Sequence, residues 1–228
     1  MVCTGMGAIQ HTAFVSGGVL EISSSEDYKL LQKLLKSRTA LPKITVFLPQ
    51  IEYSLLQIKS LGNIEVMQGC KFGAARMSVG SGGLRFSAFA SGMVEINGGY
   101  GDILFDHATV GSLDLTVSSG DVKIRSLNSE RNARGDIRIT GSYGDVQVED
   151  VFAGSLNVTV SSGDVRVQSV RCSGKVQFKS SYGNVELDDV KCRDLDSVGS
   201  SGDITLKRVI ASNSFSIERS YGNVEFGF

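Results

Sequence analysis

A nearly constant phrase recurs along this 228-residue chain and constrains its fold more than any other feature of the sequence. The phrase reads Ser-Ser-Gly-Asp-Val at 161–165 and Ser-Tyr-Gly-Asn-Val at 181–185. Successive copies are 19 or 20 residues apart, with one longer step of 24 residues. The glycine that marks each copy is found at Gly62, Gly82, Gly101, Gly120, Gly144, Gly163, Gly183, Gly202 and Gly222. A period of this length indicates a solenoid in which each repeat forms one coil.

Each marker glycine is followed by an apolar–x–apolar run, which indicates a short, half-buried strand. The first apolar position holds Ile64, Leu84, Ile103, Val122, Val146, Val165, Val185, Ile204 and Val224. The second holds Val66, Phe86, Phe105, Ile124, Val148, Val167, Leu187, Leu206 and Phe226. A second alternating run, such as "SLNVTV" at 155–160, precedes most markers. Two strands and their corners in each repeat suit one coil of a parallel β-helix, whose coils stack about 4.8 Å apart.

We therefore predict an all-β fold, a single-stranded parallel β-helix of about nine coils of 19–20 residues. A right-handed coil is favoured because parallel β crossovers are usually right-handed. The longest step contains "NSERNARGD", residues 128–136, which we predict to be a protruding loop. The segment "DLDSVG", 194–199, interrupts the alternation and predicts a β-bulge.

The first 50 residues do not follow the repeat, and we predict that they cap the solenoid domain of residues 51–228. Residues 13–23 read as a hairpin because two alternating runs flank a Gly-Gly pair. Residues 23–37 read as a short amphipathic helix, with serines that suit its N-cap and lysines near its end. Residues 42–50 read as a strand that leads into the first coil.

The residue before the marker glycine alternates between Ser and Tyr, and outward charges alternate with it. Coils with Ser carry basic residues: Arg85, Lys123, Arg125, Arg166 and Lys207. Coils with Tyr carry acidic residues: Asp106, Glu149, Glu186, Asp188 and Glu225. Opposite charges on neighbouring coils attract, and a slip by one coil would stack like charges. We therefore predict a charge ladder that helps to set the register.

Four tyrosines are the candidate binding residues of this chain: Tyr100, Tyr143, Tyr182 and Tyr221. In the predicted stack they would recur on every second coil, about 9.6 Å apart. With the serines between them they would form a flat Tyr/Ser surface for a protein or a glycan, since such residues are common in binding loops. The competing interpretation, in which the rings only pack the corner, is favoured from the sequence alone, and the binding surface is the alternative.

Other motifs point more weakly to chemistry. The pair Asp106-His107 suggests acid–base catalysis, but a histidine at a strand end is usually solvated, and no nucleophile elbow, phosphate loop or zinc motif occurs. A column of Asp or Asn after the marker glycine could bind calcium, but we predict that each side chain satisfies the backbone of its own turn. The triplet "RGD" at 134–136 suggests integrin binding and is favoured as a chance match.

The remaining composition narrows the function further. Net charge is −1, which gives no electrostatic case for binding nucleic acid. The four cysteines fit no CxxC metal pattern, and Cys172 and Cys192, one coil apart, are predicted to be free thiols. We therefore predict no catalytic, cofactor-binding or metal-binding residues. No signal peptide and no apolar run of about 20 residues occur, so membrane attachment would need a segment outside this chain.

The segment "KITVFLPQIEYSLLQIKSLGNIEV" at 43–66, followed by "SSGDVKI", "SYGDVQV" and "SSGDVRV", resembles a bacterial adhesin-like family of β-strand repeats, a domain of unknown function. The resemblance covers about residues 42–228. It implies an all-β parallel β-helix that is often attached to the cell envelope through a membrane segment. No catalytic residues are known for the family, so none are transferred to this chain.

These observations predict a non-enzymatic β-helical scaffold, adhesin-like and associated with the cell envelope, that binds a protein or glycan. Two alternatives remain, a polysaccharide-active β-helix enzyme and a self-assembling β-helical filament. The chain stops at "YGNVEFGF", residues 221–228, in the middle of a repeat. We therefore expect an exposed edge at the last coil, with either weak end-to-end self-association or a partner or further segment that covers this edge.

Overall fold

The computed structural model describes residues 10–16, 19–25, 48–128 and 135–227. Within these residues the chain forms one sheet of 18 β-strands and no helix. The N-terminal half contains β1 Gln10–Ser16, β2 Val19–Ser25, β3 Glu52–Ser60, β4 Ile64–Val66, β5 Lys71–Val79, β6 Leu84–Phe86, β7 Phe89–Tyr100, β8 Ile103–Asp106 and β9 Thr109–Ser119. The C-terminal half contains β10 Val122–Leu127, β11 Ile137–Tyr143, β12 Val146–Ala153, β13 Leu156–Ser162, β14 Val165–Cys172, β15 Lys175–Tyr182, β16 Val185–Ser201, β17 Ile204–Tyr221 and β18 Val224–Gly227.

The strands form a parallel β-solenoid of about nine coils, which confirms the predicted fold class. One strand precedes the marker glycine in each coil and another follows it, and each pairs in parallel with its equivalents in the adjacent coils. Val146 of β12, for example, lies in register between Val122 of β10 and Val165 of β14. The long strands β16 and β17 each continue from the second strand of one coil into the first strand of the next.

The core is a set of apolar columns that run along the solenoid. Both positions after the marker are buried on the first eight coils, as the alternation predicted. Aromatic residues form part of these columns, and the rings of Phe86 and Phe105 lie with their centroids 5.4 Å apart and their planes tilted by 44°. On the ninth coil Val224 is 40% exposed and Phe226 is 63% exposed. Both positions of the ninth coil are therefore much more exposed than their equivalents on the first eight coils.

The marker glycines make a corner that a larger residue could not occupy. Gly163 has φ +139, and a Cβ built on it would lie 2.1 Å from the carbonyl oxygen of Gly144 in the preceding coil. From Gly101 to Gly222 every marker glycine has a positive φ. Glycine is required there both by the left-handed backbone and by the close approach of successive coils.

A second corner, which the sequence reading missed, lies six residues after the marker. Its residues are not glycine, yet they have φ between 50° and 54°. They are His107, Ser126, Asp150, Ser169, Asp189 and Arg208. Most of these are types that tolerate a left-handed backbone, because a short polar side chain can hydrogen-bond locally. The signal that could have found this corner is a polar residue at a fixed distance from each marker, within an otherwise alternating strand.

Asn128 shows how the stack accommodates its longest step. Its backbone has φ 57 and the residue is only 1% exposed. Its Oδ1 accepts a hydrogen bond from the N–H of Val110 at 2.7 Å, and its Nδ2 donates to the carbonyl of Phe152 at 3.4 Å. Because the side-chain amide bridges the coils on either side, the ladder continues where the chain leaves it. Residues 129–134 of the predicted loop lie outside the described residues.

The N-terminal predictions are confirmed only in part. Strands β1 and β2 form the predicted antiparallel hairpin, and β2 pairs in parallel with β3, which places the hairpin on the first coil. Residues 23–25, predicted to begin a helix, belong instead to β2 because they continue the hairpin pairing. The rest of that helix and residues 42–47 of the predicted strand lie outside the described residues, and residues 48–50 are not in a strand.

The predicted bulge at 194–199 is misplaced. Asp194 to Gly199 pair regularly with β17, and the register shift lies just before them, between Cys192 and Asp194. Two further shifts occur in the pairing of β5 with β7 and of β7 with β9. A bulge changes which residues face each other and leaves only a weak trace in the alternation, so sequence located it poorly.

Candidate functional site

The four predicted tyrosines share one column with serines between them. Tyr143 pairs in register with Ser119 below and Ser162 above, and the same alternation continues through the other coils. We call this set the tyrosine stripe; it consists of Tyr100, Ser119, Tyr143, Ser162, Tyr182, Ser201 and Tyr221. The tyrosines are 67%, 65%, 65% and 77% exposed. Rings this exposed bury little area in the corner, so packing alone gives a weak account of them.

A second column of hydroxyl groups runs beside the tyrosine stripe, one residue earlier in each coil. Its members are all exposed: Ser118, Ser142, Ser161, Ser181, Ser200 and Ser220. We call this set the serine column. Serine hydroxyls both donate and accept hydrogen bonds. The stripe and the column together present aromatic rings and neutral hydroxyl groups over several coils.

The Asp/Asn column on the other side of the marker glycine connects the coils. The Oδ1 of Asp121 accepts a hydrogen bond from the N–H of Asp145 at 3.0 Å, and the Oδ1 of Asp145 accepts one from the N–H of Asp164 at 2.8 Å. Asn184 takes part in the same way and accepts from the N–H of Asp203 at 2.9 Å. The prediction that each side chain satisfies its own turn is therefore wrong, because the six side chains from Asp102 to Asp203 satisfy the turn of the next coil. No cluster of three metal-ligating groups occurs among the described residues.

Ion pairs do connect neighbouring coils, as the predicted charge ladder requires, but the ladder residues that pair are diagonal neighbours and not residues in register, since Arg85 lies in register with Leu104 and Lys207 with Asp188. Arg85 contacts Asp106 at 2.8 Å, and Lys207 contacts Glu186 at 3.2 Å. Arg166 lies in register with Glu186 but contacts Asp164 at 2.9 Å instead. The basic side chains are about half exposed, and Asp106 and Asp164 are less so. Each surface pair therefore contributes about 0–1 kcal/mol at most.

The pair Asp106-His107 has a structural explanation. The Nδ1 of His107 lies 2.8 Å from one carboxylate oxygen of Asp106, and Arg85 donates to the other oxygen at 2.8 Å. His107 occupies the left-handed corner and borders a shallow cavity of about 210 Å³, with Cys70 and Ser87. Asp106 therefore binds Arg85 on the preceding coil as well as His107, and the contact between coils is sufficient to explain the carboxylate.

Cys172 and Cys192 border a wider groove of about 540 Å³ and are free thiols, as predicted. Burial raises the pKa of the Cys172 thiol to about 12 and that of the Cys192 thiol to about 11. A thiol with a raised pKa is a poor nucleophile at neutral pH, because little thiolate is present. These residues therefore act as core side chains.

Two residues of the "RGD" triplet are built into the stack. A Cβ on Gly135 would lie 1.2 Å from the carbonyl oxygen of Gly111, so only glycine fits. Asp136 accepts a hydrogen bond from the hydroxyl of Ser155 at 2.7 Å. Both residues have structural roles, which agrees with a chance match to the motif.

Arg219 is a charged residue that sequence reasoning missed. It occupies a core-facing column in register with Gly199, and its guanidinium lies against that glycine. Its three side-chain nitrogens are buried and have no hydrogen-bond partner among the described residues. The hydroxyls of Ser180 and Ser197 are also buried and without a hydrogen-bond partner in this part of the chain. Burial lowers the pKa of the guanidinium. The signal was a single Arg in a column that otherwise holds Val, Gly and Ser.

Comparisons with known proteins identify the repeat but no activity. A family model described as Toastrack DUF4097 matches residues 8–141 and, again, residues 133–228. No curated protein and no solved structure matches the chain. The described residues contain no helix that is long and apolar enough to cross a bilayer.

Proposed function

The chain belongs to the Toastrack DUF4097 family of β-solenoid domains of unknown function, and from this premise we propose that it is a non-enzymatic, adhesin-like scaffold that binds an elongated ligand along the tyrosine stripe. The placement of this scaffold at the cell envelope rests on the family resemblance described above. The single observation that carries the proposal is the exposure of four tyrosines in one column.

Exposed aromatic rings are costly to leave in water, and a contiguous set of them commonly marks an interaction surface. Tyrosine supplies a large, rigid contact area with a polar tip, and neighbouring serines supply adaptable hydrogen bonding. The stripe repeats along the solenoid axis, so a ligand that runs parallel to the axis contacts several equivalent positions.

The arrangement of charged groups supports a binding role over a polysaccharide-active enzyme. An enzyme of that kind needs a clustered, non-repeating set of carboxylates in a groove. Here the carboxylates follow the repeat, and those of Asp121, Asp145 and Asp164 accept backbone hydrogen bonds from the next coil. Asp106 is held by Arg85 and His107.

The charge ladder also disfavours a head-to-tail filament. In such a filament, β4 of a second copy would pair with β18 of the first. If the register is the one that β17 and β18 have, Glu65 of β4 lies directly opposite Glu225 of β18. Like charges directly opposite each other in a sheet are destabilising. The same register would set Val224 and Phe226 against the apolar Ile64 and Val66, so the Glu65–Glu225 contact is the one that opposes a simple end-to-end stack.

The proposal is tested by comparing the wild type with the double variant Tyr143→Ser/Tyr182→Ser on arrays of glycans and peptides. Serine occupies this column on alternate coils, so the substitutions leave the fold intact. Ile210→Ser is the matched control, because Ile210 is 54% exposed but lies outside the stripe. We expect ligands that bind the wild type and the control but not the double variant. Equal binding by all three proteins to every ligand would refute the proposal.

A further inference from the structure

The spacing of the tyrosine stripe selects among linear ligands, and this inference rests on the proposed function. Coils stack at about 4.8 Å, so rings on every second coil are about 9.6 Å apart. Four such rings, from Tyr100 to Tyr221, form a nearly straight line with a single repeat. A ligand that contacts every ring needs an equivalent group at the same spacing.

An extended peptide strand does not meet this condition. Its same-face side chains recur every two residues, about 6.6–6.8 Å apart, so a second contact falls between the rings. A polyproline II helix does meet it. Its three residues per turn rise about 3.1 Å each, so groups on one face recur every 9.3 Å or so. Over the three intervals between four tyrosines the mismatch grows to only about 1 Å.

The chemistry of the surface fits the same ligand. Proline rings pack well on aromatic faces, and a polyproline II segment is already ordered before it binds, which lowers the entropy that binding must overcome. Its backbone makes no internal hydrogen bonds, so its carbonyl groups are free to accept from hydroxyl groups. The serine column and the tyrosine hydroxyls supply neutral donors along the whole line.

The carboxylates of the Asp/Asn column favour a ligand that carries positive charge. Asp102, Asp121, Asp145, Asp164 and Asp203 follow the stripe by two residues, just beyond the marker glycine. Their Oδ1 atoms are occupied by backbone N–H groups, and Arg166 contacts the carboxylates of Asp145 and Asp164. The carboxylates of Asp102, Asp121 and Asp203 form no ion pair among the described residues, so their negative charge remains next to the stripe. A ligand with basic residues between its prolines is therefore attracted, and an acidic polymer is repelled.

We infer that the tyrosine stripe binds a proline-rich segment in the polyproline II conformation, with proline at every third residue and basic residues between the prolines. Each tyrosine ring then contacts one proline, and successive prolines are one turn of the ligand apart. The serines in the stripe leave room between rings for the residues that do not contact tyrosine.

The test uses synthetic peptides and the folded chain, with binding measured by titration calorimetry. The matching probe is PAKPAKPAKP, and the period control is PAAKPAAKPAAKP, which has proline at every fourth residue. The charge control is PAEPAEPAEP. Circular dichroism is used to check that all three peptides have comparable polyproline II content before their affinities are compared. A soluble, uncharged β-1,4-linked glucan is the probe of the other ligand class.

We expect the matching probe to bind at least about tenfold more tightly than either control peptide. Tyr143→Ser/Tyr182→Ser should weaken that binding by about tenfold or more, since central aromatic residues dominate such interfaces, and Ile210→Ser should leave it unchanged. Equal affinity for the period-three and period-four peptides would overturn the inference. Tyrosine-dependent binding of the glucan without peptide binding would overturn it and leave the proposed function standing. Absence of any tyrosine-dependent binding would overturn both.

Discussion

Replacement of Asp121 by Ala and by Asn separates a structural column of carboxylates from a calcium site. Asp121 is half-buried, and its Oδ1 accepts the N–H of Asp145 in the next coil at 3.0 Å. Asp121→Ala removes the acceptor and leaves that N–H to water. Asp121→Asn keeps an oxygen in the same place and removes only the charge. Asn184 and Asn223 already occupy this column, which shows that an amide fits it.

The magnitude follows from the single bond that is lost. A hydrogen bond in a folded protein contributes about 0.5–1.5 kcal/mol net, and one to a charged group about 1.5–3 kcal/mol. Because the site is partly solvated, we expect Asp121→Ala to lower the free energy of unfolding by about 1–2 kcal/mol. For a chain of this size each kcal/mol shifts the Tm by about 2–4 °C. Asp121→Asn should cost less than about 0.5 kcal/mol.

The assay is thermal unfolding followed by circular dichroism, with added calcium and with a chelator. A structural column predicts the same Tm in both buffers and a clear separation between the two variants. A calcium site predicts that calcium raises the Tm of the wild type and that Asp121→Asn loses this rise as completely as Asp121→Ala does. The second outcome, or equal losses by the two variants without calcium, would refute the hydrogen-bond account.

Three further substitutions test the core, the charge ladder and the buried cation. Val165→Asp buries an unpaired carboxylate between apolar neighbours and should cost at least about 3 kcal/mol in urea unfolding; an unchanged midpoint would contradict the assigned register. Glu186→Lys removes the contact with Lys207 and faces Arg166, so we expect a loss of about 1 kcal/mol or less that shrinks in high salt. Equal losses at low and high salt would argue against the ladder. Arg219→Met removes a buried cation that lacks a hydrogen-bond partner among the described residues and has only the charge of Asp203 to compensate it, so it should be neutral or stabilising by about 1–2 kcal/mol; a clear loss of stability would show that the guanidinium makes a net favourable interaction.

The repeat period determined most of the architecture before any coordinates were known. Residues separated by one coil share a column, so the positions of the marker glycines predicted which side chains stack and which apolar residues are buried. The tyrosine stripe followed from the same rule, because it requires only that Tyr and Ser alternate at one position of the repeat. These predictions hold since backbone pairing in a parallel solenoid aligns equivalent positions whatever their side chains are.

Only the tertiary structure decided how neighbouring side chains use that alignment. The carboxylate of Asp121 is long enough to reach the next coil, which a reading of one turn at a time could not show. Arg166 contacts Asp164 and Asp145 at the corner and not the in-register Glu186, because its long side chain is free to reach carboxylates outside its own column. The left-handed corner at His107 and the buried guanidinium of Arg219 depend on local backbone direction and on the space above Gly199. The period specifies which residues are neighbours, whereas side-chain length, rotamer and free volume specify which of those neighbours bind each other.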